Sequence, residues 1–138
     1  MQTLKTILAA CIAVYFSTAF SQTIDSLRQR YLNDEKTSEE IKTAIKNKKV
    51  VLGMCPLQAF ASAGFPGPYL VKRDQAVWSR TVPPPSIVQV QCESPDKSEI
   101  ELLFRNTEQF DDGKLTVFRV RFEMGRAVLI DQKGFSEN

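Results

Sequence analysis

The sequence predicts an α+β domain in which two short N-terminal helices pack on an antiparallel β-sheet meander. Helix caps and helical apolar spacing occur between residues 37 and 64. Most of the chain after residue 68 alternates apolar with polar residues, a pattern typical of strands. No helical pattern separates these later segments, and consecutive strands joined by turns favour antiparallel pairing.

Residues 1–21 have the composition of a secretory signal peptide. Lys5 supplies the positive charge, and a run of about 14 apolar or small residues extends to Phe20. Ala19 and Ser21 provide the small side chains that signal peptidase reads. The run is shorter than the ~20 residues that cross a bilayer. We therefore expect cleavage before Gln22 and a periplasmic or secreted location.

A second processing route is open because Leu8-Ala9-Ala10-Cys11 resembles a bacterial lipobox. Lipidation of Cys11 would make the protein an outer-membrane lipoprotein. Too few apolar residues precede the box to form an h-region of ~7 residues, and the segment after it stays apolar. Cleavage before Gln22 is therefore favoured, and membrane contact is expected only if Cys11 is lipidated.

The remaining chain divides into a polar lead-in, residues 22–36, and a single domain, residues 37–138. We expect the lead-in to be frayed or partly helical. The domain is long enough to bury a core of its own. The 18 basic and 16 acidic residues give a net charge of +2 and are dispersed. Neither nucleic acid nor an anionic membrane is therefore expected as the main partner.

The first predicted helix is the segment TSEEIKTAIKNKK. Thr37 can cap it while Glu40 reaches back, which is a capping box. Its inward stripe would consist of Ile41, Ala44 and Ile45.

The second predicted helix begins at a cysteine and a proline. Cys55 would be its N-cap and Pro56 its first helical residue, where a missing N–H costs nothing. Gly64 suits the left-handed conformation at its end.

Six segments are predicted to be strands. They are residues 69–72, 76–82, 86–92, 99–105, 115–123 and 127–130. The clearest alternation places Phe118, Val120 and Phe122 on one face of a strand, with Arg119 and Arg121 on the other. Met124-Gly125 would then turn the chain into the last strand.

Cys55 and Cys92 are the two cysteines beyond the signal peptide. In an oxidising compartment such a pair favours a disulfide, which would stabilise the fold by ~3–4 kcal/mol. The alternative is two reduced, buried thiols that pack as small hydrophobic groups.

Five residues carry a family resemblance: Gly53 and Met54 before a helix, Gly64 and Pro66 after it, and Trp78 in a following strand. This pattern resembles the SmpA/OmlA (BamE-like) domain family of bacterial envelope proteins. The resemblance implies a BamE-like layout, which β-lactamase-inhibitor-like domains share. The five residues act as a fold motif rather than an active site, so the resemblance does not carry a function with it.

The composition argues against an enzyme. The chain has no histidine, which removes Ser-His-Asp and Cys-His catalysis and the commonest metal ligand. Glu99 and Glu101 are best explained as a solvated strand face. Asp111-Asp112-Gly113 lacks the further oxygen ligands of a calcium site and is predicted to be a turn. We expect no catalysis, no cofactor and no metal.

We therefore expect a non-catalytic periplasmic or cell-envelope protein, a protein–protein interaction or envelope-maintenance module whose partner is an envelope or secreted protein. The candidate interaction residues are Phe65, Pro68, Pro84, Arg119 and Arg121. The two arginines could instead pair with Glu101 or Glu123 on an ordinary exposed sheet face. Two other functions stay open: a secreted enzyme inhibitor of the β-lactamase-inhibitor-like type, and a small hydrophobic ligand carrier with an apolar pocket between helices and sheet.

Overall fold

The computed structural model describes residues 24–67, 69–73, 76–80 and 85–132, and it has an α+β fold. Within these residues the elements are α1 (24–32), α2 (Glu39–Lys46), α3 (Pro56–Ala63), β1 (Tyr69–Arg73), β2 (Ala76–Arg80), α4 (Pro85–Glu93), β3 (Glu99–Asn106), β4 (Thr116–Glu123) and β5 (Arg126–Asp131). The α+β class and the antiparallel sheet are confirmed. The predicted signal peptide and Cys11 lie outside the described residues.

The five strands follow the order β2-β1-β3-β4-β5, and every neighbouring pair is antiparallel. A simple meander was predicted, and that detail is wrong because β1 lies between β2 and β3. Strands β2 and β3 therefore run parallel to each other, and a parallel connection needs a crossover rather than a tight turn. Helix α4 provides that crossover.

The prediction of a strand at residues 86–92 is also wrong, because these residues lie within α4. Pro85 is the first residue of the helix, a position that proline favours. Val88 and Gln91, three residues apart, are buried, whereas Val90 is exposed. Alternation would have buried Val88 and Val90 together, so the helical period describes this segment better.

The core lies between the helices and one face of the sheet. Phe104 stacks on Phe118 with 5.8 Å between ring centroids, and the rings of Phe60 in α3 and Phe104 form an edge-to-face pair with centroids 6.1 Å apart. Phe118, Val120 and Phe122 are fully buried, as the alternation predicted. Burying each such aromatic side chain stabilises the fold by ~1.5–3 kcal/mol.

Helix α1 belongs to the domain, although residues 22–36 were predicted to be a frayed or partly helical lead-in. Tyr31 is buried in the core, and Ile24, Leu27 and Leu32 pack against it. Arg28 Nε donates to the Ala61 carbonyl of α3 at 3.1 Å. These contacts fix α1 against the helix that carries Cys55.

Ser38, and not the predicted Thr37, caps helix α2. The Ser38 hydroxyl accepts the Ile41 N–H at 3.3 Å. Thr37 lies one residue before the cap, is buried, and donates its hydroxyl to Asp34 at 3.4 Å. The expected burial of Ala44 and Ile45 is confirmed.

In the part of the chain that the structure describes, no helix is both long and apolar enough to cross a membrane.

Candidate functional site

A surface cleft of about 480 Å³ opens between α1, the start of α2 and the loop before it, the start of α3, the end of α4 and the start of β5. Its walls include Arg30, Tyr31, Leu57, Glu93 and Arg126, and both cysteines lie in it. The lining therefore combines charged groups, a phenol and sulfur, and the cleft is open to solvent. Between the helices and the sheet, the described residues pack as an aromatic core.

The predicted pairing of Cys55 with Cys92 is confirmed. Their sulfur atoms lie at disulfide distance, and their Cα atoms are 5.2 Å apart. As predicted, Cys55 is the N-cap of α3 and Pro56 its first residue. The disulfide therefore joins the start of α3 to the last turn of α4, across 37 positions of sequence.

The two sulfur atoms have different neighbours. The Tyr31 hydroxyl lies 3.9 Å from Cys55 Sγ. Cys92 Sγ accepts the Leu57 N–H, in the first turn of α3, at 3.2 Å. Cys55 is buried, whereas Cys92 is partly exposed in the cleft.

Two arginine side chains, Arg30 and Arg126, contribute positive charge to the lining of the cleft. The Arg30 guanidinium lies 5.6 Å from the centre of the Tyr31 ring, and Arg126 Nη1 donates to the Gly53 carbonyl at 3.4 Å. Within the described residues, neither guanidinium forms a salt bridge with a carboxylate. Burial is the main influence on the Tyr31 hydroxyl and raises its pKa, so this group stays protonated at neutral pH.

Beside the cleft lies an apolar region that we name the turn-end surface: Leu52, Val90, Met124 and Val128. These are four of the seven large hydrophobic side chains exposed among the described residues. Backbone hydrogen bonds between Gly53 and Ala127 hold the segments of Leu52 and Val128 together. The turn that contains Met124 rests on the backbone of α4 next to Val90. Sequence reasoning missed this surface, because its members come from three separate segments.

Arg119 and Arg121 lie on the outer face of β4, as predicted, and each meets two carboxylates of the same sheet. The ion pairs are Arg119–Glu101 (3.8 Å), Arg119–Asp131 (3.1 Å), Arg121–Glu99 (3.9 Å) and Arg121–Glu123 (3.4 Å). Pairing with Glu101 and Glu123 was the alternative that the sequence left open. The positive charges of this face are therefore neutralised within the fold.

The other predicted interaction residues are only partly within the described chain. Phe65 is exposed, and its ring lies 6.0 Å from that of Phe60. Pro68 and Pro84 lie outside the described residues.

The five residues of the fold motif lie around α3 and in β2. Gly53 and Gly64 have φ angles of 93° and 88°, which glycine adopts readily, and Gly64 ends α3. Met54 and Pro66 are buried, so Met54 fills the core as expected. Trp78 lies in β2 opposite Val71 of β1.

Within the described residues, no group of three or more side chains is arranged to hold a metal ion. Asp111-Asp112-Gly113 forms the predicted turn: Asp112 Oδ1 accepts the Lys114 N–H at 3.0 Å, and Gly113 has a φ angle of 69°.

Comparisons of the chain with protein-family models, with curated proteins and with solved structures give no match. The resemblance to the SmpA/OmlA family therefore stays a prediction from five residues and their spacing. Sequence reasoning also missed Arg30 and Tyr31 as parts of the cleft. The signal that could have found them is the helical spacing of Ile24, Leu27 and Tyr31, which marks α1 as an amphipathic helix.

Proposed function

We propose that this chain is an exported, non-catalytic module of the bacterial cell envelope that binds another protein through the turn-end surface. The observation that carries the proposal is that backbone contacts bring together the segments of four exposed apolar side chains, beside a cleft lined by Arg30 and Arg126. Single exposed hydrophobic residues are common on folded proteins, whereas contiguous ones mark interaction sites.

The chemistry of this region suits a partner that carries apolar side chains next to a carboxylate. Leu52, Met124 and Val128 would lose water on contact, which is the main favourable term in protein association. Arg30 and Arg126, which lack carboxylate partners within the described residues, would meet the acidic group. The Arg119/Arg121 face is a weaker candidate because its charges are already paired.

Two further features support an envelope role. The first 21 residues have the composition of an export signal. The succession of α2, α3 and the β1–β2 hairpin agrees with the order that the SmpA/OmlA resemblance implies. Helix α1, and helix α4 inserted before β3, are additions to the two-helix arrangement expected from that family.

Site-specific photo-crosslinking in the intact envelope tests the proposal. Benzoylphenylalanine replaces Leu52 in one variant and Leu115 in another. The two positions form a matched pair because the wild-type side chains are 59% and 54% exposed. Leu115 precedes β4, whereas the turn-end surface lies at the other end of that strand, roughly 25 Å away.

We expect one reproducible protein adduct from position 52 and none from position 115. The substitution Val128→Asp should then reduce crosslinking from position 52, while Val117→Asp at a similarly exposed position (42% and 37%) should not. Equal crosslinking from both positions, or none from position 52, would contradict the proposal.

A further inference from the structure

The two sulfur atoms of the Cys55–Cys92 disulfide differ in their access to solvent. Cys55 is only 3% exposed, beside Tyr31 of α1. Cys92 is partly exposed on the last turn of α4, and it faces the cleft. Because thiol–disulfide exchange depends on which sulfur an incoming thiolate can reach, attack on Cys92 Sγ is favoured.

Both sulfur atoms lie near the N-terminus of α3, and Cys92 Sγ accepts the Leu57 N–H there, so access to solvent rather than thiolate stability decides which sulfur is attacked. The surroundings of Cys55 still allow it to leave as a thiolate. Cys55 lies at the N-terminus of α3, where the helix dipole stabilises negative charge and lowers the pKa of a thiol. The Tyr31 hydroxyl, 3.9 Å from Cys55 Sγ, keeps its proton and can donate to the departing sulfur. A leaving thiol of lower pKa leaves faster.

The cleft also suits an incoming anion. Its lining carries three cations, Arg30, Lys36 and Arg126, against the two carboxylates of Asp34 and Glu93. The two arginines have no salt-bridge partner within the described residues, so they attract a negatively charged thiol. Its volume of about 480 Å³ falls in the range of sites that bind small molecules. A thiol the size of a tripeptide can enter it.

We infer that Cys55–Cys92 is an exchangeable disulfide that accepts electrons from anionic thiols entering the cleft. A thiolate RS⁻ attacks Cys92 Sγ, the Cys55–Cys92 bond breaks, and Cys55 leaves with the electron pair and takes a proton from solvent. A second RS⁻ attacks the sulfur of R in the mixed disulfide, which releases RSSR and the Cys92 thiolate. Two thiols are thereby oxidised to one disulfide while the chain gains two thiols. This reactivity goes beyond partner binding and does not depend on it.

The test is to incubate the oxidised protein, purified after export, with reduced glutathione in the absence of denaturant. Free thiols are trapped with iodoacetamide, and the modified peptides are identified by mass spectrometry. We expect glutathione on Cys92 and the alkyl group on Cys55 among the early products. The rate of reduction should rise in proportion to the glutathione concentration.

Variants and a second thiol separate the effect of the arginine charges on the incoming thiol from the effect of the Tyr31 hydroxyl on the leaving sulfur. Arg30→Gln and Arg126→Gln should slow glutathione about three- to tenfold more than they slow cysteamine, which is cationic. Arg105→Gln, at an exposed position on β3, serves as the control and should change neither rate. Tyr31→Phe keeps the ring and should slow both thiols about threefold or more, because the leaving sulfur loses a donor.

Three results would overturn the inference: glutathione mainly on Cys55, a rate independent of glutathione concentration, or arginine variants that slow both thiols equally. A concentration-independent rate would mean that the disulfide is reduced only after unfolding, so that it is purely structural. Identifying which cysteine of the wild-type protein carries glutathione tests the inference even if a variant fails to fold. Crosslinking from position 52 could still succeed, so this inference and the proposed function fail separately.

Discussion

The turn between β4 and β5 is held so closely against α4 that it cannot accommodate one added methyl group. Gly125 has a φ angle of 73°. A Cβ atom added there would overlap the Gln91 carbonyl oxygen and lie 2.7 Å from the Cβ of Pro95. We therefore expect Gly125→Ala to force the turn and α4 apart.

The magnitude has two parts. A non-glycine residue in the left-handed region costs ~1–2 kcal/mol. Overpacking a tightly filled site costs a further ~1–3 kcal/mol. Gly125→Ala should therefore reduce the free energy of unfolding by about 2–5 kcal/mol, out of a typical ~5–15 kcal/mol for a domain. The overlap involves backbone atoms, so a side-chain rotation cannot relieve it.

The substitution Gly113→Ala measures the cost of the left-handed backbone conformation alone, without the steric overlap. Gly113 has a similar φ angle of 69°, but nothing lies within 4 Å of its added Cβ. Urea denaturation of the oxidised proteins gives the free energy of unfolding of each variant, with the slope m compared to detect changes in the unfolded state. Equal destabilisation by Gly113→Ala and Gly125→Ala would refute the reasoning, because the steric contribution would then be absent.

Three further predictions concern stability. Replacing Cys55 and Cys92 together by alanine should lower the free energy of unfolding by ~3–4 kcal/mol; a loss under 1 kcal/mol in urea denaturation would speak against the loop-closure argument. Met124→Asn should raise it by ~0.5–1 kcal/mol, since Met124 has a φ angle of 51° in a two-residue hairpin turn that favours asparagine; an unchanged or lower thermal midpoint would contradict this. Arg119→Gln should cost only ~0–1 kcal/mol, and less in high salt, because its ion pairs with Asp131 and Glu101 are partly solvated; a loss that salt does not change would argue for packing instead.

Local patterns in the sequence predicted secondary structure correctly where the residues fitted only one period, that of a strand or that of a helix. The alternation from Leu115 to Glu123 predicted β4 and its buried face, because a one-residue slip would expose Phe118. Cys55 and Pro56 predicted the start of α3, because their positions depend only on neighbouring residues. The disulfide followed from the cysteine count and the expected export.

Tertiary structure decided the rest. Residues 86–92 fit both an alternating and a helical period. The burial of Val88 and Gln91, three residues apart, selects the helix. The crossover through α4 then places β1 between β2 and β3.

The sequence alone predicted the five strands and the helices α2 and α3, and it favoured the pairing of the two cysteines over two reduced thiols. Only the tertiary structure decided which residues surround those cysteines, because Arg30, Tyr31 and Arg126 reach the cleft from elements far apart in the chain. It also decided that Arg119 is paired and that Leu52 and Val128 lie together. Local propensity is a property of neighbouring residues, whereas a surface depends on long-range contacts that no single segment encodes.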